Sequence, residues 1–357
     1  MFGRYGGLLL LSAILAGCQV SKTGLEGIES LFADKETQQI EAKPTLIRSE
    51  DLLGQGYLTC VDSLLLVSAN RGERMVTVYN LHTGEVVNRL APKGKANGEF
   101  LLVGDLAQLD GRVMILGKMP TRAAWIDKCQ LLDSFPKMQT TDLAFEGGDY
   151  LSVAPVAGGW YVATGRFDAP ESQRHQFAWI GADGKIVSTF EDYLLTPELE
   201  GLPNYNLAYG YQGRFATTPD GRHGLYCGWE SAVWRFYDFS GREPRKVAEY
   251  ALVLPSFRPR DGAHYGVVHS EERSIGGSIF AAASDSLYYL LFSDKPYGAY
   301  SAYFTDRIFV FDLSGRPVRK IELDREIIAM AYWAEQHALL GCANDAEGEP
   351  QILRFDL

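Results

Sequence analysis

The sequence predicts an all-β protein, and three observations support the prediction. From residue 44 onward, short β-branched and aromatic runs alternate with Gly, Asp, Pro and Ser, and helical periodicity is hard to find. Two kinds of hairpin alternate along these residues, about six times each, with a period of roughly 45 to 75 residues. Each pair of hairpins supplies four antiparallel strands, which is the content of one propeller blade. Residues 44–357 are therefore predicted to form a single six-bladed β-propeller.

The first kind of hairpin joins a short strand through a tight turn to an apolar strand that we expect to be buried on both faces. Its turns lie at Asp62-Ser63, Asp110-Gly111, Gly158-Gly159, Asp220-Gly221, Asp285-Ser286 and Glu335-Gln336. The second kind begins with an aromatic or apolar strand and continues into a more polar one. These first strands contain Val78-Tyr79, Trp125-Ile126, Trp179-Ile180, Phe236-Tyr237, Phe309-Val310 and Leu353-Arg354-Phe355.

The two ends of the repeat region complement each other. The last unit stops after its third strand, whereas Thr45–Arg48 precedes the first unit and has no hairpin partner. We expect this N-terminal stretch to pair next to Phe355, complete the last blade and close the ring. Five or seven blades and a β-sandwich are the competing folds, and the hairpin tally favours six blades.

The N-terminus carries a processing signal. Arg4 precedes the apolar run Leu8–Ala16, which is too short to span a bilayer, and small residues lead into Cys18. Leu15-Ala16-Gly17-Cys18 resembles the lipobox of bacterial lipoproteins, which implies a diacylglyceryl group on Cys18 and cleavage before it. An ordinary secretory signal is the alternative. The resemblance predicts a signal peptide over residues 1–17 and a lipid-anchored protein of the cell envelope, in the outer membrane, on its periplasmic or its outer side.

Residues 18–43 are polar and rich in Lys, Glu, Gln and Thr, which predicts a tether between the membrane and the propeller. Leu25, Ile28 and Leu31 also fit a short helix, but a plain spacer is the favoured interpretation. The membrane is thus the first expected partner, reached through the lipid on Cys18.

Charge and cysteine usage exclude several classes of function. The net charge of -11 opposes nucleic acid, or an anionic membrane surface, as the main partner. The cysteines beyond Cys18 show no C-x-x-C spacing, which argues against a redox motif or a zinc site. We expect the four of them to be buried free thiols: Cys60, Cys129, Cys227 and Cys342.

Two segments resemble known propeller repeats. Thr218-Pro219-Asp220-Gly221-Arg222 resembles the turn of TolB-type repeats, and residues 93–100 resemble the Gly-rich connection between blades of NHL-type propellers. A lipobox followed by such a propeller is similar to the TolB-like six-bladed lipoproteins of Bacteroidetes. The resemblance supports the fold and implies no activity, since propellers serve many unrelated functions.

The long loops predict which face binds a ligand. In an antiparallel blade the tight turns lie at one end, so the loops after each second strand and between blades lie at the other. The long ones span residues 166–176, 194–209, 255–275 and 293–306. Because long loops on a rigid scaffold commonly carry binding sites, we expect the ligand there.

Tyr and Arg dominate these loops and adjacent strand ends. Tyr stacks on sugars and peptides and also forms hydrogen bonds, while basic groups favour an anionic ligand such as an acidic glycan. The alternative is that the rings pack the loops onto the blades and that Glu230 and Asp345 pair with the arginines. The candidate ligand-binding residues are Arg71, Lys118, Arg166, Tyr205, Tyr209, Tyr211, Arg258, Arg260, His264, Tyr297 and Tyr300.

No catalytic set, cofactor or metal is predicted. Asp261, His264, His269, Glu271 and Glu272 share one loop, but their spacing matches no familiar ligand pattern. Three functions remain open: a non-catalytic propeller that binds a glycan, a peptide or an envelope protein; a carbohydrate-active hydrolase or lyase on the same face; and a structural partner in an envelope complex. The first is favoured.

Overall fold

The computed structural model describes residues 16–52, 54, 56–96, 98–134, 136–143, 149–167, 174–261 and 266–357, with side chains from residue 24 onward. These residues form six blades of four antiparallel strands, which confirms the predicted six-bladed β-propeller. The first strand of each blade contacts the first strands of both neighbouring blades, so the ring is closed.

The elements follow one another blade by blade. Before the first blade come α1 (Ala16–Leu31), β1 (Thr37–Ile40) and β2 (Lys43–Pro44). Blade one contains β3 (Leu58–Val61), β4 (Leu64–Ser68), β5 (Arg74–Asn80) and β6 (Val86–Pro92). Blade two contains β7 (Leu102–Leu109), β8 (Arg112–Lys118), β9 (Arg122–Asp127) and β10 (Gln139–Asp142). Blade three contains β11 (Asp149–Val156), β12 (Trp160–Arg166), β13 (His175–Ile180) and β14 (Ile186–Asp192).

The second half continues the pattern with longer connections. Helix α2 (Asn204–Gly210) precedes blade four, which contains β15 (Gly213–Thr217), β16 (His223–Gly228), β17 (Ala232–Asp238) and β18 (Arg245–Val253). A hairpin of β19 (Phe257–Pro259) and β20 (Val267–His269) precedes blade five, which contains β21 (Ile275–Ala283), β22 (Leu287–Pro296), β23 (Thr305–Asp312) and β24 (Pro317–Ile327). Blade six contains β25 (Ala329–Trp333), β26 (Ala338–Asn344) and β27 (Pro350–Asp356), together with β2. Short 3-10 helices cover Ser49–Asp51, Lys128–Gln130, Ala157–Gly159 and Ala334–Gln336.

The predicted ring closure is confirmed, with a small shift of position. The pairing strand is β2, two residues earlier than the expected stretch: Lys43 faces Arg354 and Pro44 faces Leu353 across an antiparallel ladder. The Thr45 hydroxyl then donates a hydrogen bond to the Ile352 carbonyl at 2.8 Å. The two ends of the repeat region therefore form one sheet.

The predicted tight turns join the first and second strands of the blades and also connect neighbouring blades. In the Thr218–Arg222 turn, Gly221 has φ +67, and a Cβ there would lie 2.5 Å from the Leu109 Cδ1 atom. Its carbonyl accepts a bond from the Ala157 amide at 3.0 Å. Glycine is required at this position because both the backbone conformation and the close approach of the next blades exclude a side chain.

The segment predicted to be a tether differs from that expectation. Ile28 and Phe32 are buried at the outer edge of blades four and five, and the Phe32 ring stacks on Phe309 with centroids 4.7 Å apart. Strand β1 adds to blade five as a fifth, parallel strand, with Thr37 facing Lys320. The polar composition conceals an apolar stripe at helical spacing, and such a stripe is stable once a sheet edge covers it.

Three of the four cysteines are placed as expected. Cys60, Cys227 and Cys342 are buried free thiols, whereas Cys129 is exposed, which corrects the prediction. Cys129 lies in the 3-10 helix Lys128–Gln130 after β9, outside the sheet that buries the others. Among the described helices, none is long and apolar enough to cross a membrane.

Candidate functional site

Three of the four predicted long loops meet on one face of the ring, above blades four and five; most of the fourth, residues 168–173, lies outside the described residues. Asn206 of α2 donates a bond from Nδ2 to the Gly266 carbonyl at 3.1 Å. The rings of Tyr211 and Phe257 pack edge to face at 6.0 Å. We call the surface built from residues 193–212, 229–231, 254–261, 266–274 and 297–304 the loop face.

A cavity of about 460 Å³ opens in the loop face and is called the loop cleft. Its lining consists of Tyr209, Gln212, Trp229, Glu230, Arg260, Gly266, Val267, His269 and Tyr297. A second cavity of about 280 Å³ shares Trp229 and Glu230 with it and is completed by Gly276, Ser278, Ile279 and Tyr303. Glu230 therefore lies between two cavities rich in aromatic rings.

Glu230 is held there by an unusual backbone. It lies in the turn between β16 and β17 with φ 50, a conformation that is uncommon outside glycine. The preceding Trp229 forms an antiparallel bridge with Gly277 of blade five. Gly277 has φ +71, and a Cβ there would lie 2.5 Å from the Ser231 amide nitrogen. The bridge fixes the turn of blade four against the inner strand of blade five.

The Glu230 carboxyl is largely removed from water. Its side chain is 11% exposed, and burial raises its pKa to about 7 because the ionised form loses solvation. The Tyr303 hydroxyl donates a hydrogen bond to Oε1 at 2.9 Å, which opposes the rise. Among the described residues, this tyrosine is the hydrogen-bond donor to the carboxyl.

His269 lies beside this carboxyl without forming a hydrogen bond to it. The ring is 7% exposed, and its Nε2 atom lies 4.0 Å from Glu230 Oε2. Burial lowers the pKa of His269 to about 4, so the ring is neutral at physiological pH. Its centroid lies 5.5 Å from that of Tyr297. The site is therefore a buried acid next to a neutral imidazole and several aromatic rings.

Three of the residues proposed from the sequence line the loop cleft: Tyr209, Arg260 and Tyr297. Tyr209 and Tyr297 are half-buried, and Arg260 is exposed. They come from α2, from the loop before blade five and from the loop inside blade five. Their convergence follows the expected arrangement of long loops on one face.

The basic residues proposed in the first three blades do not reach the loop cleft. Arg71 is exposed in the loop between β4 and β5. Lys118 donates bonds from Nζ to the carbonyls of Tyr150 and Leu151, at 2.6 and 3.0 Å, and burial lowers its pKa. Arg166 ends β12 opposite Asp149. These strand ends are distributed around the ring, so they form no common site with Arg260.

Two proposed tyrosines do not line the loop cleft: Tyr205 lies on helix α2, and Tyr211 directly follows it. Tyr211 is buried; its hydroxyl donates to the Leu194 carbonyl, and its ring packs at 5.3 Å from Tyr193. Tyr205 is half-buried on α2. The interpretation that rings pack the loops onto the blades applies to Tyr211.

The remaining proposed residues lie outside the loop cleft or outside the described residues. Arg258 pairs with Asp261 at 3.1 Å, as an exposed contact within its own loop. Tyr300 is fully exposed and is not part of the lining. His264 lies outside the described residues. No cluster of three or more metal-ligating side chains occurs in the described part of the chain.

Sequence reasoning did not assign Trp229 and Gln212 to the site. It grouped Tyr303 with the loop tyrosines of blade five but did not propose it as a ligand-binding residue, and it treated Glu230 only as a possible partner of arginines. Trp229 and Glu230 directly follow the apolar strand β16, at the end that carries the long loops. A large aromatic residue next to an acid at that position was an available signal. Gln212 had no comparable signal, because its approach depends on loop conformation.

A buried ion pair joins the inner strands of blades two and four. Arg214 of β15 contacts Asp105 of β7 at 2.7 Å, and both side chains are 7% exposed. The guanidinium carbon of Arg214 lies 3.9 Å from the centroid of the Phe280 ring. The cavity along these inner strands measures only about 70 Å³. The loop cleft, rather than the channel, has room for a ligand.

The comparisons with known proteins agree with this fold. The profile of the TolB-like 6-blade propeller-like family matches residues 57–332. A protein of Bacteroides fragilis predicted to be exported is similar over 89% of this chain and 98% of its own, with TM-score 0.52 and 10% identity. A member of the DUF4221 family from Bacteroides vulgatus is similar over 88% of this chain and 95% of its own, with TM-score 0.53 and 9% identity. No curated protein matches the chain.

Proposed function

We propose that this chain, which belongs to the TolB-like 6-blade propeller-like family, is a non-catalytic binding protein of the cell envelope. The loop cleft would hold a small ligand, or one group of a glycan, a peptide or an envelope protein. The observation that carries the proposal is the cleft itself, which combines about 460 Å³ of space with aromatic walls and the buried polar groups of Glu230 and His269. Concave sites in which aromatic side chains meet a few placed polar groups are typical of ligand pockets.

The chemistry of the lining favours binding over hydrolysis. Cleavage of glycosidic bonds commonly uses two carboxyl groups, about 5 to 10 Å apart, on either side of the scissile bond. Among the described residues that line the two cavities, Glu230 is the sole carboxylic acid. Asp105 in the channel is already paired with Arg214. A hydrolase that uses two carboxyl groups on this face therefore lacks support in the described lining.

We also propose that the protein is attached to the outer membrane through a lipid on Cys18. The lipobox-like Leu15-Ala16-Gly17-Cys18 supports it. Replacing Cys18 with Ser should release the protein from the membrane fraction when cells are fractionated. Unchanged membrane association of the Cys18→Ser protein would contradict lipid anchoring at this residue.

A thermal-shift screen tests the binding function. The purified full-length chain in mild detergent would be screened against neutral, acidic and amino sugars, short peptides and small organic cations. A ligand at a hundred times its Kd adds about 2.7 kcal/mol to the free energy of unfolding, so a true ligand raises the Tm measurably. A screen without any shift would argue for a protein partner, which crosslinking in intact envelopes would then identify.

A matched pair of variants locates the binding site. Tyr297→Ala removes a wall of the loop cleft and should abolish the ligand-induced shift. Tyr300→Ala lies in the same loop, is fully exposed and is outside the lining, so it should leave the shift unchanged. A ligand that shifts the Tm of both variants equally would place its site elsewhere on the propeller.

A further inference from the structure

The Glu230 carboxyl lacks a positive partner in the described structure. The His269 ring lies 4.0 Å away and is neutral because burial lowers its pKa to about 4. Arg260 also lines the loop cleft, but it is exposed, so solvent and salt screen its charge. Of the two carboxyl oxygens, Oε1 accepts the bond from Tyr303. The acid therefore keeps unused acceptor capacity at the boundary of two cavities.

The surrounding rings add a second feature that favours positive charge. Trp229, Tyr209 and Tyr297 line the larger cavity, and Tyr303 lines the smaller one. The centroids of Tyr297 and Tyr303 lie 6.4 Å apart with their planes nearly perpendicular. The faces of aromatic rings carry partial negative charge and attract ammonium groups, most strongly where water is excluded.

We infer that the loop cleft recognises a ligand that carries an ammonium group, with the cation placed against Glu230 and between the aromatic rings. The ligand class includes amino sugars, basic side chains of peptides and quaternary amines. This inference rests on the proposed binding function and specifies the chemistry of the same site.

Proton linkage follows from this arrangement. In the free protein Glu230 has a pKa of about 7, so at pH 6 it is mostly protonated. An ammonium ligand binds the ionised form of Glu230, so binding at pH 6 should release roughly one proton. The number of protons released should fall towards zero above pH 8. For a quaternary amine, whose positive charge does not titrate, the apparent affinity should rise about tenfold from pH 6 to pH 8.

The groups that face Glu230 do not reproduce this pattern. His269, on β20, stays neutral over this pH range because its pKa is about 4. Tyr303, from the loop of blade five, has a pKa raised further above its usual value by burial and by Glu230. Arg260 reaches the cleft from the β19–β20 hairpin. An anionic ligand would instead take up a proton on Glu230, so the sign of the linkage distinguishes the two ligand classes.

Titration calorimetry on the full-length chain tests the inference with matched probes. Choline is compared with its neutral isostere 3,3-dimethyl-1-butanol, and glucosamine with glucose. At least one cationic probe should bind about tenfold more tightly than its neutral partner. Repeating the titrations in buffers of different ionisation enthalpy counts the protons released.

Two substitutions separate charge from aromatic character. Glu230→Gln keeps the shape of the side chain and removes its charge. It should lower the affinity for the cationic probe by about thirtyfold or more and abolish proton release. Should that variant fail to fold, Tyr297→Leu keeps apolar bulk without the ring face and should weaken cationic probes while sparing neutral ones. Tyr300→Ala serves as the control and should bind like the unsubstituted chain.

The outcomes are distinct. Equal binding of charged and neutral partners, proton uptake on binding, or full affinity in Glu230→Gln would overturn the ammonium inference. A neutral or anionic ligand that is lost in Tyr297→Ala would overturn it while leaving the loop cleft as the binding site. Absence of any ligand in the whole screen would overturn both the inference and the proposed small-ligand function.

Discussion

The Tyr303 hydroxyl donates a 2.9 Å hydrogen bond to the Glu230 carboxyl, and this bond links the loop of blade five to the β16–β17 turn of blade four. The two residues are separated by 73 positions in the chain. Their contact lies between the two cavities of the loop face. Ligand binding and the ionisation of Glu230 are therefore both expected to depend on how these two blades are held together.

Removing the donor should shift the titration of Glu230. The Tyr303 bond favours the carboxylate, so Tyr303→Phe should move the pKa of Glu230 above its value of about 7. Carbon-13 NMR of labelled glutamate side chains over a pH series measures this. Tyr300→Phe, which alters an exposed ring in the same loop, is the control and should leave the titration unchanged.

Glu230 and His269 should have opposite effects on the pH dependence of stability. The folded pKa of Glu230 is raised from 4.5 to about 7, so the folded state binds more protons and stability falls by about 3 kcal/mol as pH rises through that window. The folded pKa of His269 is lowered from 6.5 to about 4, so stability falls by a similar amount as pH drops from 6.5 to 4. Between pH 4.5 and 6.5 the two effects oppose each other.

Single substitutions expose each effect. Relative to the unsubstituted chain, Glu230→Gln should gain stability as pH rises from 4.5 to 7, and His269→Gln should gain stability as pH falls from 6.5 to 4. Denaturant unfolding at pH 4.5, 5.5, 6.5 and 7.5 gives the differences. Glu347→Gln, on an exposed turn, is the control. A Glu230→Gln difference that stays constant with pH would contradict the burial argument.

Loss of one partner of the channel ion pair should strongly destabilise the folded protein. Arg214→Met leaves Asp105 buried without its cation, and we expect a loss of about 3 to 5 kcal/mol in the free energy of unfolding. Arg214→Met combined with Asp105→Leu should recover much of that loss, because no unpaired charge remains. Lys128→Met breaks a half-exposed pair with Asp62 and should cost less than about 1 kcal/mol.

Gly277 offers a test of the contact between blades four and five. Gly277→Ala adds a Cβ 2.5 Å from the Ser231 amide nitrogen in a backbone with φ +71, so it carries both conformational strain and a clash. Gly348→Ala has φ +86 and no atom within 4 Å, so it carries the strain alone, about 1 kcal/mol. Denaturant unfolding should show a clearly larger loss for Gly277→Ala, accompanied by weaker ligand binding. Equal losses would mean that the Trp229 bridge does not constrain the turn.

The N-terminal helix should contribute to stability rather than serve only as a spacer. Phe32 is fully buried against Phe309, and Phe32→Ala should cost about 3 to 5 kcal/mol. Leu46→Ala removes a side chain that is 63% exposed and should have little effect. Deletion of residues 18–42 should likewise lower the Tm sharply. An unchanged Tm after this deletion would restore the interpretation of this segment as a tether.

The predictions that succeeded from the sequence rest on local patterns. Strand alternation and turn residues such as Asp110-Gly111 recur with each blade, so six blades could be counted without knowing how they pack. The unmatched N-terminal stretch and the incomplete last unit predicted the closure later seen between β2 and β27. The spacing of turns also placed the long loops on one face, because the strands of a blade alternate in direction.

The loop cleft was only partly predictable because it depends on distances across blades. Loop composition led us to propose Tyr209, Arg260 and Tyr297, which line the cleft. The same reasoning led us to propose Arg71 and Lys118, which lie in other blades. The residue types were the same in both groups. Their angular positions around the ring decide which of them converge, and residue type carries no information on that angle.

The sequence by itself determined the blade number, the closure and the face that carries the long loops, because periodicity and turn chemistry are properties of neighbouring residues. Only the tertiary structure decided that Glu230, His269 and Tyr303, from three separate segments of the chain, meet in one buried site. It also decided that α1 packs on the propeller. Burial and unpaired charge arise from what surrounds a side chain in space, so the character of the site appears only after the blades are assembled.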